Sequence, residues 1–167
     1  LPLNYLEKTD VLLANTYHLY LRPGLDVIKE FEGLHNFIGW DNLILTDSGG
    51  FQGWSIPNKF NDDGIEFKNI YDGSKFFMDP ILSMDIQNSL NSDIAMILDS
   101  LVDIDKDYNN QLQSINTTKK WAEIAREYHS NNNQSLFGIV QGGKYLELRE
   151  KSSIDMVSLN FDGYAIG

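Results

Sequence analysis

The string Thr46-Asp47-Ser48-Gly49-Gly50-Phe51-Gln52 gathers an acid, a hydroxyl, two glycines and an aromatic ring. A carboxylate at Asp47 can give or take a proton as a general acid/base. Adjacent glycines let backbone N–H groups approach a ligand closely. Phe51 offers a flat face on which a base can stack. Three further polar groups each follow an apolar run: Asn15-Thr16, Asp99-Ser100 and Gln141-Gly142-Gly143. Any one of them alone reads equally well as a helix cap, a tight turn or a loop residue. Their recurrence at the same point of successive units favours a shared site.

The elements that must position these groups are legible. Short aliphatic runs occur at Val11 to Ala14, Leu43 to Leu45, Ile94 to Leu98, Leu136 to Val140 and Tyr164 to Ile166. They are continuous rather than alternating, which predicts parallel strands buried on both faces. Helical patterns lie between them. One is expected from near Leu25 to Gly33. Asp79 and Pro80 read as an N-cap and first helical position, with Leu82, Ile86 and Leu90 as one stripe. Tyr108, Leu112, Ile115, Ala122, Ala125 and Tyr128 mark a long amphipathic helix, and Tyr145, Leu148 and Val157 a less regular one. Strand, helix, strand in repetition implies right-handed βαβ units. Tyr71-Asp72-Gly73-Ser74 reads as a hairpin turn inside an insertion of about 64–78. Asn131 to Gln134 reads as a surface loop.

A doubly wound sheet and a barrel both fit this alternation. Polar exits at the C-terminal ends of the strands favour the barrel, whose active sites are built on that rim. The fold expected is α/β, a partial (β/α)8 TIM barrel with an inserted β-hairpin. It is read as one incomplete domain over 1–167, truncated at both ends.

Composition narrows the function classes. The chain has 167 residues, 42% of them apolar, and a net charge of -11. Such acidity disfavours extensive direct phosphate binding, so any nucleic-acid role must be local or use surface outside the chain. With no cysteine, neither a disulfide nor a thiolate metal site is available. No apolar run reaches the roughly 18 residues that span a bilayer, and no signal-peptide pattern is present. No membrane association and a cytoplasmic location are the expectations.

Taken as an ordered set, these motifs resemble the tRNA-guanine transglycosylases. The resemblance rests on Asn15-Thr16-Tyr17-His18-Leu19, Arg22-Pro23-Gly24, Thr46 to Gln52, Asp72-Gly73-Ser74, Leu136 to Gly143 and Phe161 to Gly167. It is stronger to the bacterial and eukaryotic branches than to the archaeal one. It implies exchange of the wobble guanine of tRNAs with a GUN anticodon for a 7-deazaguanine, the queuosine precursor or queuine. The route implied is a covalent enzyme–RNA intermediate on an Asp nucleophile, with the target nucleotide drawn out of its stack. By motif, Asp47 matches the general acid/base, and Asp47, Ser48, Gly49, Gly50 and Phe51 the base-binding loop. Asp99 matches the aspartate that accepts from the ring N–H and exocyclic amine of the base, and Gln141 the glutamine that donates to its carbonyl. Asn15 is expected to support the pocket floor. His18, His35 and His129 are read as structural, and Trp40, Trp54 and Trp121 as packing residues.

The resemblance also implies parts that fall outside the chain: the nucleophilic Asp, a zinc site of three cysteines and one histidine, and most of the basic tRNA-binding surface. No cofactor or metal is expected within the chain, which alone is expected to be inactive. A homodimer or heterodimer is expected of the complete protein. Ser100-Leu101 stand where bacterial members carry Glu-Cys, Gly53-Trp54 follow Gln52, and Ile81 follows Pro80. These departures leave the preferred base open. A non-catalytic subunit of the same fold, a DNA-acting relative and a generic barrel enzyme for a small polar ligand remain as alternatives.

Overall fold

The computed structural model describes residues 5, 6, 8–55 and 59–167. The first third runs β1 (Val11–Ala14), α1 (Thr16–Leu21), α2 (Leu25–Glu30), α3 (Leu34–Ile38), β2 (Leu43–Thr46) and α4 (Gly50–Ser55). Next come β3 (Lys59–Asn61), β4 (Gly64–Lys68), β5 (Lys75–Met78), α5 (Pro80–Leu90) and β6 (Ile94–Met96). The last part is α6 (Tyr108–Tyr128), β7 (Ser135–Val140), α7 (Leu146–Ser158) and β8 (Gly163–Ile166).

The five apolar runs become one all-parallel sheet in the order β1-β2-β6-β7-β8. Val11 pairs with Leu43, Leu45 with Ile94, Ala95 with Leu136 and Phe137 with Gly163. Strand order therefore follows chain order without the reversal of a doubly wound sheet. Ile97 and Leu98 lie past the end of β6, yet both are buried.

The expectation of strands buried on both faces is corrected. In β7 burial alternates: Leu136, Gly138 and Val140 are buried, whereas Phe137 and Ile139 are only partly so. Ile44 shares one core cluster with Ile86 of α5, and Ala95, Leu136 and Val140 share a second with Ala122, Ala125 and Met156 of α6 and α7. Each such side chain removed from water contributes about 1.5–3 kcal/mol if large. The opposite face carries Leu13, Leu45, Met96, Phe137 and Ile139, which line a cleft. The runs are aliphatic on both sides because one side meets helices and the other floors a cavity.

Caps explain where the helices start and stop. Asp79 Oδ1 accepts from the Leu82 N–H at 2.7 Å, with Pro80 at the first position as expected, and Asn91 closes α5 in the left-handed conformation. Asp107 accepts from the Asn110 N–H at 3.0 Å and starts α6. The expected stripe of α6 is partly wrong. Tyr108 and Tyr128 are exposed, and the buried face adds Gln111, Ser114 and Thr118. In α7, Tyr145 is the N-cap and Val157 is exposed, while Leu148, Ser152 and Met156 face inward.

The insertion is larger than the hairpin expected at about 64–78. β4 and β5 form that hairpin, and β3 adds a third antiparallel strand from Lys59. Its turn is set by Asp72 Oδ1, which accepts from the Ser74 N–H at 2.8 Å and its hydroxyl at 2.6 Å. Ile65, Phe67 and Met78 pack with Tyr17, Leu98 and Trp121, so the insertion shares core with the main sheet. Trp40 and Trp121 are packed as expected; the side chain of Trp54 lies outside the described residues. His35 bonds the Trp40 carbonyl and Asp93, a structural role.

Candidate active site

Asp47 leaves the sheet directly after β2, and the β1–α1 junction holds it. Its Oδ2 accepts from Asn15 Nδ2 at 2.6 Å, and its Oδ1 from the Thr16 N–H at 2.9 Å and the Gly49 N–H at 3.1 Å. The Thr16 hydroxyl donates to the Asp47 carbonyl at 2.5 Å. Asn15 is oriented by a second task, since its Oδ1 caps α1 by accepting from the His18 N–H at 2.9 Å. Burial pushes the Asp47 carboxyl above its usual range, against the pull of Thr16, Gly49, Asn15 and the nearby His18. Such a carboxyl suits proton transfer.

The following loop turns tightly beneath the second acid. Gly49 has φ +81°, a left-handed conformation that favours glycine. A Cβ on Gly50 would meet the Ser48 hydroxyl at 3.2 Å and the Asp99 main-chain carbonyl at 3.3 Å, a fit that would need these neighbours to give by a few tenths of an ångström. Phe51, in the first turn of α4, is 56% exposed and lines the cleft.

Asp99 follows the buried Leu98 and is itself 5% exposed. Gln141, just past β7, donates from Nε2 to Asp99 Oδ2 at 2.6 Å. Burial pushes the Asp99 carboxyl up to about 6. The Gln141 amide, the backbone of Asp99 and the Ser48 hydroxyl oppose that rise, and the charge of Asp47 adds to it. The two carboxyls are thus electrostatically in touch.

Asp47, Ser48, Gly49, Phe51, Asp99 and Gln141 line one cleft of about 500 Å³. That volume is typical of small-molecule sites. Asn15 and Gly50, the other two residues singled out from the sequence, are not in its lining; Asn15 acts through Asp47, and Gly50 lets the loop approach Asp99. His18 is exposed and its ring lies edge-on to Tyr17. The sequence reading missed the hydroxyls of Ser83, Ser114, Thr118 and Ser152, all buried. Their signal was available: a Ser or Thr inside an apolar helical stripe needs a buried partner.

Chemically, Asp99 presents two acceptors beside one donor, the Gln141 amide, with a second carboxyl nearby. That pattern complements a planar ring bearing two adjacent N–H donors and a neighbouring carbonyl. Among the described residues, no three His, Asp or Glu side chains cluster to hold a metal. No helix among them is long and apolar enough to cross a membrane.

Comparison with known proteins agrees with the motif order. The sequence profile of the family described as Queuine tRNA-ribosyltransferase matches residues 2–167. The chain is 49% identical over 163 residues to a Queuine tRNA-ribosyltransferase of Bacillus pumilus, covering 96% of this chain and 43% of the relative. It is 46% identical over 159 residues to one of Thermotoga maritima, covering 95% and 43%. For one of Oceanobacillus iheyensis the values are 47% over 163 residues, 96% and 43%. The chain therefore spans about two fifths of the length of these curated relatives. With the profile match extending over nearly every residue, the chain belongs to the queuine tRNA-ribosyltransferase family, whose relatives are transferases of the pentosyl class.

Proposed function

We propose that the cleft holds a guanine-like base, and that a full-length protein of the relatives' size uses it to exchange the wobble guanine of GUN-anticodon tRNAs for a 7-deazaguanine. The observation that carries this reading is the buried Asp99–Gln141 pair with Asp47 in the same cleft. Ring N–H and exocyclic amine donate to the two Asp99 oxygens. Gln141 releases Asp99 and donates to the base carbonyl. Phe51 stacks on the ring, and the N–H groups of the Ser48–Gly50 turn follow its edge. An Asp supplied by the remaining length attacks the ribose anomeric carbon; the glycosidic bond breaks towards guanine, and Asp47 supplies the proton the departing base needs. The incoming base then displaces the enzyme carboxylate, returning a proton to Asp47.

The rest of the architecture follows the same reading. One-sided helix cover and sequential strand order suit five strands of a (β/α)8 barrel. The net charge of -11 assigns most phosphate contacts to the remaining length. The zinc implied by the resemblance belongs there as well, since this chain contains no cysteine. The complete protein acts as a homodimer or heterodimer in the cytoplasm.

Incubating the full-length protein with labelled guanine and GUN-anticodon tRNA tests the proposal. Label is expected in tRNA and not in a DNA hairpin of the same sequence. Absence of label in tRNA refutes exchange, and label in DNA instead moves the substrate class.

A further inference from the structure

The rim segments of the cleft are tied to buried hydroxyls on the helices outside the sheet. Ser83 of α5 donates to the Ser48 carbonyl at 3.0 Å. Two residues of α6 hold Ser100, the neighbour of Asp99: Thr118 Oγ1 accepts from its N–H at 3.0 Å and Ser114 donates to its carbonyl at 2.5 Å. Ser152 of α7 accepts from the Gln141 N–H at 3.1 Å. Ser83 and Thr118 are fully buried, Ser152 is 2% and Ser114 4% exposed. A small apolar side chain would fill each of these places without the cost of burying a hydroxyl.

These contacts fall where the ladder has ended. β6 stops at Met96 and β7 at Val140, so Ser100 and Gln141 lie outside the regular pairing of their strands. Binding a planar edge across two strands requires their side chains to be held within about half an ångström. Two hydroxyls on α6 and one on α7 fix the main chain beside Asp99 and at Gln141.

We infer that Thr118, Ser114 and Ser152 are positioning residues that set the spacing of Asp99 and Gln141 for the base. This inference rests on the base-pocket reading above. The isosteric Thr118→Val and the small Ser152→Ala, made in the full-length protein, remove one tie from each side. In steady-state exchange the KM for the incoming base is expected to rise roughly tenfold while the KM for tRNA stays put. Thr118→Ser, which keeps the hydroxyl, retains the parent KM. An unchanged KM for the base in both variants, with only Tm or active fraction lowered, overturns the inference. Should Thr118→Val not fold, Ser152→Ala decides alone. Asp99→Ala measured alongside separates the two levels. Normal base binding by Asp99→Ala overturns the pocket reading and this inference together. Lost binding there, with normal KM in the hydroxyl variants, overturns this inference only.

Discussion

Asp47 and Asp99 are the same residue type at corresponding strand exits of one sheet, yet their surroundings differ. Asp47 is held by two backbone N–H groups and the Asn15 amide, all from the β1–α1 junction and its own turn. Asp99 lies in the pocket wall with Gln141, a group that a ligand can borrow, on one of its oxygens. Burial raises both carboxyls, and the more deeply buried Asp99 is taken to about 6. The contrast separates a carboxyl held by backbone and Asn15 donors from one paired to a neighbouring amide, and the proposed function gives the first the proton and the second the base.

Asp47→Asn probes that division most strongly. Base exchange by the full-length protein is expected to fall by about 10²–10⁴-fold, with base affinity retained. Normal incorporation of labelled guanine would erase the distinction. Asp99→Ala should do the converse and weaken binding of a 7-deazaguanine by about 3 kcal/mol, on the order of 100-fold, measured by calorimetry.

Stability sharpens the contrast next. The Asp99 carboxyl sits at about 6 in the fold, above the roughly 3.9 of an unfolded chain. The folded state therefore keeps the proton to higher pH, and the contribution of this one group to stability is fullest below about pH 4 and is lost as pH rises to about 6. Asp99→Asn should relieve this by about 2–3 kcal/mol above pH 6, with the gain vanishing near pH 4. Unfolding curves that show no pH-dependent gain contradict the buried-charge account. Asn15→Ala, the mildest change, removes a donor to Asp47 and the α1 cap, and should cost about 1 kcal/mol. It should also shift the acidic limb of the exchange profile upward, because the Asp47 carboxylate loses a stabilising partner.

Local patterns were readable in the chain wherever one element decides its own form. The five strands, the Asp79-Pro80 start of α5, the bounds of α6 and the Asp72-Gly73 turn followed from composition and caps. Tertiary choices were not. The strands carry aliphatic residues on both faces, so sequence could not separate a cleft floor of Phe137 and Ile139 from a core. The tyrosines at the ends of α6 suggested burial, but the packed face chose Gln111, Ser114 and Thr118 for their hydrogen bonds. β3 was invisible because its pairing is with β4, not with its own periodicity. The polar residues that line the cleft were legible by type and order, whereas the Asn15–Asp47 and Asp99–Gln141 bonds required the fold.

The most direct test is a crystal structure of the full-length protein with a 7-deazaguanine bound. The account predicts the ring N–H and exocyclic amine on the two Asp99 oxygens, with the Gln141 amide moved from Asp99 to the base carbonyl. A base seated elsewhere, or Gln141 still donating to Asp99 with the base in place, contradicts it.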